Sequence, residues 1–438
     1  MNITRTKRTY FAVLALNWLA VGLTLPISVL FMQARGLDLA QVGLVMALYA
    51  ATVALLELPT GGLADSIGRK RVALLSNTIS LLSVAALLFA FSFWWILPGM
   101  ILLGISRALS SGALDAWYVD SLQSGDPAVD LQAALAQANT ITLVALGAGT
   151  LAGGALPTLF SNLPPATDAV LSPLSTPFIV SLFFKIVLLL LIALAVVEPP
   201  RAGGQAANWR DGVRAVPYIV RDSIALTVHN RFLPYLLGAA LVGGFTLSGV
   251  EAFWQPDFAR RLGDVTGQSW LFGLVMALSF LAGIGGNLLS IPLSKRVRNN
   301  YALLAAGAVA LQAAALFVMA VMLPAAGFVG GFWAFYLSNG LVTSPHETLV
   351  NREIPAQRRS AMLSVHSLAT YAGGFLGSII LGAFAETQGI STAWFVAAAV
   401  AVVSFLLYVR IARQKTHTTS GYEQRAPIPD SSTKANAG

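Results

Sequence analysis

Six ionisable side chains stand inside long apolar runs of this chain: Glu57, Arg107, Asp115, Asp120, Lys185 and Glu251. An ionisable group near the centre of a bilayer costs about 2.5–3.5 kcal/mol on insertion scales, so each of them needs a partner, a wet cavity or a job. A carboxylate in partly dry surroundings has its proton affinity raised toward working pH, which is what a proton carrier requires. Asp115 and Glu251 are the candidates for that role, with Glu57 a third; for each, the competing reading is an acid that reaches water or pairs structurally. Arg107, in GISRALSSGALDAW, can depress the proton affinity of a nearby acid or meet an anionic group, or it can be tied to backbone carbonyls for packing. Glu57 shares a helix face with Gly61 and Asp65 at four-residue steps, so a structural place beside them competes with proton transfer. Lys185 has a long stem in the outer part of its run and reads as structural.

Spacing limits what these groups can do together. If one helix enters near Ile96, a rise of 1.5 Å per residue puts Arg107 about 16 Å down and Asp115 about 12 Å further, too far to touch but able to line one wall. Asp115 and Asp120 are five residues apart, about 140° around a helix, and serve different faces.

The elements that must position these residues are membrane spans. Only 11% of the 438 residues are charged and 56% are hydrophobic, whereas a soluble domain is about 25% charged. The net charge of +8 does not mark a nucleic-acid surface, because the bases lie in short clusters between apolar runs. With no cysteine there is no disulfide framework, thiolate metal site or cysteine nucleophile. The first apolar run, Tyr10 to Met32, is too long for a signal-peptide core and is expected to remain as a span.

Cutting the chain where apolar runs of about 20 residues are interrupted gives twelve helical spans. They fall near 10–33, 40–64, 72–93, 96–121, 131–156, 177–197, 233–257, 268–292, 300–323, 329–350, 359–385 and 391–412. With both termini cytoplasmic, one face collects Arg69 to Arg71 and most of the other bases, and the outer loops keep only Arg35, Arg260 and Arg261. The fold class expected is thus an all-α membrane protein in two six-helix halves, 1–197 and 232–412, placed in the plasma (inner) membrane. A cytoplasmic linker, 198–231, joins them, with an amphipathic helix marked by Val213, Val216, Val220 and Ile224; residues 413–438 read as a disordered tail. The halves echo one another faintly: glycines four apart recur as Gly149 and Gly153 in one and as Gly373 and Gly377 in the other.

The tight turn GGLADSIGRKR, residues 61–71, resembles the signature between the second and third spans of the major facilitator superfamily, Gly-x-Leu-Ala-Asp-x-x-Gly-Arg-Lys. The residues that carry it are Gly61, Leu63, Ala64, Asp65, Gly68, Arg69 and Lys70, and the six-plus-six layout extends the resemblance over the whole apolar chain. The resemblance implies a secondary transporter with its substrate cavity near the midplane between the halves. It also implies a gate: the loop acid, here Asp65, meets a helix N-terminus of the other half, while Arg69 pairs with an acid at the inner end of the fourth span, here Asp120. The competing reading is three solvated charges that orient the loop. The fifth span, ALGAGTLAGGAL, is similar to the signature of exporting facilitators. Gly149, Gly153 and Gly154 are in place, but Ala145 replaces the first glycine and Thr150 the proline. Small residues at this spacing also serve helix packing anywhere. Asn17, Trp18, Trp117, Trp254 and Phe253 are candidates for the cavity wall.

Enzyme motifs fail. His346-Glu347 opens a zinc-like pattern, but Val350 stands where the second His is needed, and no Gly-Lys dipeptide exists for a phosphate-binding loop. No cofactor or metal is expected. The function expected is proton-coupled export of a small amphiphilic compound by a chain working as a monomer in the lipid bilayer, with protons and the solute as its partners and no nucleic acid. The alternatives are proton-coupled uptake of a small polar solute, or a non-transporting receptor or membrane enzyme on the same fold.

Overall fold

The computed structural model describes residues 3–60, 63, 67–110, 112–125, 129–167, 169–198, 221, 227–228, 230–322, 324–354 and 359–422, and no strand occurs among them. In the first half the helices are α1 (Ile3–Thr24), α2 (Ser28–Ala34), α3 (Leu39–Thr60), α4 (Arg69–Leu88), α5 (Phe93–Ser110), α6 (Ala113–Gly125), α7 (Leu131–Leu159) and α8 (Thr176–Ala195). In the second they are α9 (Leu233–Leu262), α10 (Ser269–Arg296), α11 (Tyr301–Val321), α12 (Ala325–Glu353), α13 (Arg359–Gln388) and α14 (Ile390–Tyr422). Eleven stretches are long and apolar enough to cross a membrane, α5 with α6 forming one of them, and the bent pair α1–α2 makes a twelfth. In a bilayer every backbone N–H and C=O must find its partner inside the protein, which is why apolar runs of this length close on themselves as helices.

Two spans expected to be continuous are broken. The first bends by 44° between α1 and α2, at Leu25, Pro26 and Ile27, where proline supplies no N–H. The fourth is interrupted between α5 and α6, where Gly112 has a φ of +74°, backbone that glycine adopts without strain. The fourth span therefore does not carry Arg107 and Asp115 on one straight helix. The last helix continues to Tyr422 rather than stopping near 412. Val213, Val216, Val220 and Ile224 of the expected linker helix lie outside the described residues.

The two halves repeat the same packing. In the first, α1 packs on α7 and α8, α3 on α5, and α4 on α5 and α8; in the second, α9 packs on α13 and α14, α10 on α12, and α11 on α12 and α14. The recurring glycines do the same job in each. A side chain at Gly149 or Gly153 would strike the backbone of α1 at Leu19 and Leu23, and one at Gly373 or Gly377 would strike the backbone of α9 at Leu241 and Phe245. The halves meet along two seams, α3 against α13 and α7 against α10, with Gly43 against Gly382 in one and Gly154 against Gly273 in the other.

Candidate functional site

The two ends of the bundle differ. At the end away from the basic loops, one apolar core joins both halves, containing Ile27, Phe31 and Phe178 from the first and Trp254, Phe272, Phe332 and Trp394 from the second. At the basic end each half keeps a core of its own: Tyr10, Val13, Tyr118 and Ile192 in the first, Leu233, Leu349, Tyr408 and Ile411 in the second. The bundle is closed at one end and parted at the other.

Hydrogen bonds tie the closed end across the halves. The buried Gln255 of α9 accepts from Val29 N at 2.9 Å and donates to Leu25 O at 2.9 Å, so its amide satisfies both sides of the break between α1 and α2. Glu386, at the end of α13, accepts from Leu39 N at 2.9 Å and places its charge at the N-terminus of α3. Ser269 donates to Gly154 O at 2.6 Å, and Thr158 donates to Thr266 O at 3.0 Å. These residues escape a search for charges in apolar runs, because three are neutral and Glu386 sits at a helix end.

Between the closed end and the basic end, charged and phenolic side chains from both halves face one another. Glu251 is solvent-accessible although residues 252–258 beyond it are all buried. Tyr49 of α3 lies within electrostatic reach of Arg107, Glu251 and Tyr371. Tyr371 of α13 lies within electrostatic reach of Arg107, Glu57 and Glu251. Tyr336 of α12 adjoins Glu251, and its buried hydroxyl has no hydrogen-bond partner among the described residues. Glu57 is half-buried and accepts from Ser367 Oγ of α13 at 2.9 Å, across the α3–α13 seam. One cation, two acids and three tyrosines from both halves are thus neighbours of one another in the spans, and Arg107 and Glu251 among them are solvent-accessible. Apolar periodicity cannot single out Tyr49, Tyr336 and Tyr371, since tyrosine in a span also packs in cores and marks interfaces.

Other residues singled out in the sequence lie elsewhere. Asp115 is exposed at the start of α6 and accepts a hydrogen bond from Tyr10 of α1. Trp117 is buried and donates to Val197 O at 2.9 Å, so its indole ties α6 to the end of α8 and does not line the cavity. Trp254 and Phe253 are buried too; Trp254 stacks among Phe258, Phe272 and Phe332 in the closed-end core. Asn17 and Trp18 are half-buried on α1. Lys185 is buried within the first half instead of reaching an interface. Gly154 faces the second half at the α7–α10 seam, while Gly149 and Gly153 face α1.

Of the expected gate, Gly61 and Asp65 lie outside the described residues. Gly68 has a φ of +109° and immediately precedes α4, and Arg69 forms an ion pair with Asp120 of α6. Lys70 anchors the same corner by donating from its backbone N–H to Glu198 and from Nζ to Ala193 O at 2.7 Å. These contacts all lie within the first half.

Comparison with known proteins identifies this architecture. The sequence pattern of the Major Facilitator Superfamily matches residues 10–350, and the chain belongs to that family of membrane transporters. It is 22% identical over 407 residues to the uncharacterized MFS-type transporter YxaM of Bacillus subtilis (strain 168), covering 93% of this chain and 96% of that protein. In fold it is similar to the nucleoside transporter NupG, with a TM-score of 0.73 at 14% identity over 94% of this chain and 99% of that one. It is also similar to a bacterial homolog of the human lysosomal transporter Spinster in its inward-facing, unoccupied conformation. There the TM-score is 0.71 at 14% identity, with 97% of this chain and 99% of that chain covered.

Proposed function

We propose that the protein is a proton-coupled secondary transporter that binds a small solute between Arg107, Glu57, Glu251 and the three tyrosines, and that it works by exposing this space alternately at its two ends. The observation that carries this reading is the accessible Glu251 carboxylate in the middle of a span, which shares Tyr49 and Tyr371 as neighbours with Arg107 of the other half. A carboxylate there can exchange its proton with water in one state and lose access in the other, which is the elementary requirement of coupling. On this reading the parted end, with its basic loops and both termini, faces the cytoplasm from a plasma membrane, as the positive-inside rule favours.

The direction proposed first is export in exchange for protons. Its cargo is a compound with an apolar body and a polar or charged group, matched to a site with aromatic faces and three charges. Uptake of a polar solute is the second reading, favoured by the number of hydrogen-bonding groups around the cavity and by the fold it shares with a nucleoside transporter. Proteoliposomes with an imposed pH gradient, loaded in turn with amphiphilic cations and with nucleosides, separate the two. Export predicts that acidifying the lumen drives amphiphile in with the pump inverted, basic end outward. Nucleoside accumulation down the proton gradient would move the assignment to uptake, and no pH-driven flux of any solute would refute coupling.

A further inference from the structure

His346 of α12 and His366 of α13 meet with their Nε2 atoms 2.7 Å apart, and the Nδ1 of His346 stands 2.7 Å from the hydroxyl of Tyr408 on α14. Two ring nitrogens at this distance are joined by one proton, since two bare nitrogens repel and two N–H groups collide. The neutral pair has two arrangements. In one, Tyr408 donates to Nδ1 of His346, whose Nε2–H donates to His366; in the other, His346 donates to Tyr408 and receives from His366. A third proton fits without breaking anything: both Nδ1 atoms carry hydrogen, one proton stays between the Nε2 atoms, and the Tyr408 hydroxyl turns to accept. A fourth would put two N–H groups face to face and part the rings.

We infer that His346, His366 and Tyr408 form a second proton-binding site of this protein, one that takes a single proton as a unit and reports it to the seam between the halves. The report runs through α13. His366 is followed by Ser367, whose hydroxyl donates to Glu57 across the α3–α13 seam at 2.9 Å, and Thr370 donates back to His366 O at 3.1 Å, so the ring and the seam contact share one turn of helix. α12 and α13 otherwise hardly touch, which makes the ring pair a local clasp between them. His346 is buried whereas His366 is half-buried, so the proton enters by way of His366.

Among the described residues His366 is the charged neighbour that acts on His346. The ionisable groups on the surrounding helices are Glu57 on α3, Tyr235 and Glu251 on α9, Lys295 on α10, Tyr301 on α11, Glu347 on α12 and Arg410 on α14, and among the described residues the rings hydrogen-bond to one another and to Tyr408 instead. The proposal rests on proton-coupled transport only for what the proton is used for, and proton binding itself can be read without a substrate.

The chain has four histidines, His229, His346, His366 and His417, so ring nitrogen resonances of protein labelled with 15N-histidine are few enough to assign. A titration between about pH 3 and 9 should show two rings moving together for a net uptake of one proton. In His366→Gln the shared step disappears. In Tyr408→Phe it persists but moves to lower pH, because the protonated Nδ1 of His346 loses its acceptor. Independent titration of the two rings, no titration of the pair at all, or an unchanged step in Tyr408→Phe would each overturn the site, whether or not transport is proton-coupled.

Discussion

The closed end and the basic end of this molecule are built from the same twelve runs but differ in what crosses between the halves. At the closed end an aromatic core, a buried glutamine, a carboxylate at a helix terminus and two hydroxyl-to-carbonyl bonds all cross. Toward the basic end the crossing hydrogen bond among the described residues is Ser367 to Glu57, and the apolar cores stay within their own halves. The charged corner of Arg69, Lys70, Asp120 and Glu198 is internal to one half in this state. The asymmetry teaches that one end is held shut by apolar burial and helix-end polar groups that cross between the halves, while the charged corner at the other end pairs with residues of its own side.

The largest effect is expected at the cavity, where the two ends must communicate. Glu251→Gln should abolish accumulation of solute against its gradient while solute exchange in counterflow survives, because the mutant resembles a permanently protonated carrier. Asp115→Asn, in an exposed residue held by Tyr10, should retain accumulation. The reverse pattern would move the carrier to the fourth span.

Next comes the lock of the closed end. Gln255→Leu leaves Val29 N–H and Leu25 C=O buried without partners, at a cost of about 1–3 kcal/mol. Every 1.4 kcal/mol shifts a two-state balance about tenfold, so crosslinking of cysteines placed across that end should fall by roughly an order of magnitude or more. Unchanged crosslinking would show that the aromatic core alone holds the end shut.

Smaller effects distinguish seam from half. Gly154→Val crowds α10 across the seam and Gly149→Val crowds α1 within the first half, each by about 1–3 kcal/mol of overpacking. Gly149→Val should lower the melting temperature of the purified protein. Gly154→Val should instead slow transport with little thermal loss, since the halves can part. Equal thermal losses would mean that the halves do not behave as separate bodies.

The smallest effect is expected at the charged corner. Arg69→Ala removes a partly exposed ion pair worth about 0–1 kcal/mol, so abundance should stay near normal while cycling slows. Asp65→Asn should do the same. Wild-type transport in both would leave the loop with an orienting role alone.

Much of this architecture is legible in the sequence, and the losses have physical reasons. Span count and the two halves follow from apolar length, which a bilayer enforces directly. The broken first span was not legible at Pro26, because Pro98, Pro157, Pro256, Pro292 and Pro345 all sit inside helices that continue through them. Neighbouring helices accommodate the freed carbonyls, so proline in a span does not by itself mark a break. Glu57, Arg107 and Glu251 stood out because charge in an apolar run is costly. Tyr49, Tyr336, Tyr371 and Gln255 did not, because their value depends on which face of the helix they occupy. His346 and His366 are twenty residues apart on different helices, a pairing that only packing reveals.

Alternating access predicts that the two ends move in opposite senses, and a chain without cysteine allows this to be measured at chosen pairs. Spin labels at Asp38→Cys with Gln388→Cys report the closed end, and labels at Ser124→Cys with Asn351→Cys report the basic end; all four positions are exposed. Pulsed-dipolar distances in lipid nanodiscs should show the first pair near and the second pair far at rest. Acidification with a transported solute should populate a state in which the first pair lengthens as the second shortens. Distances that stay fixed under every condition, or that lengthen and shorten together, would contradict the account.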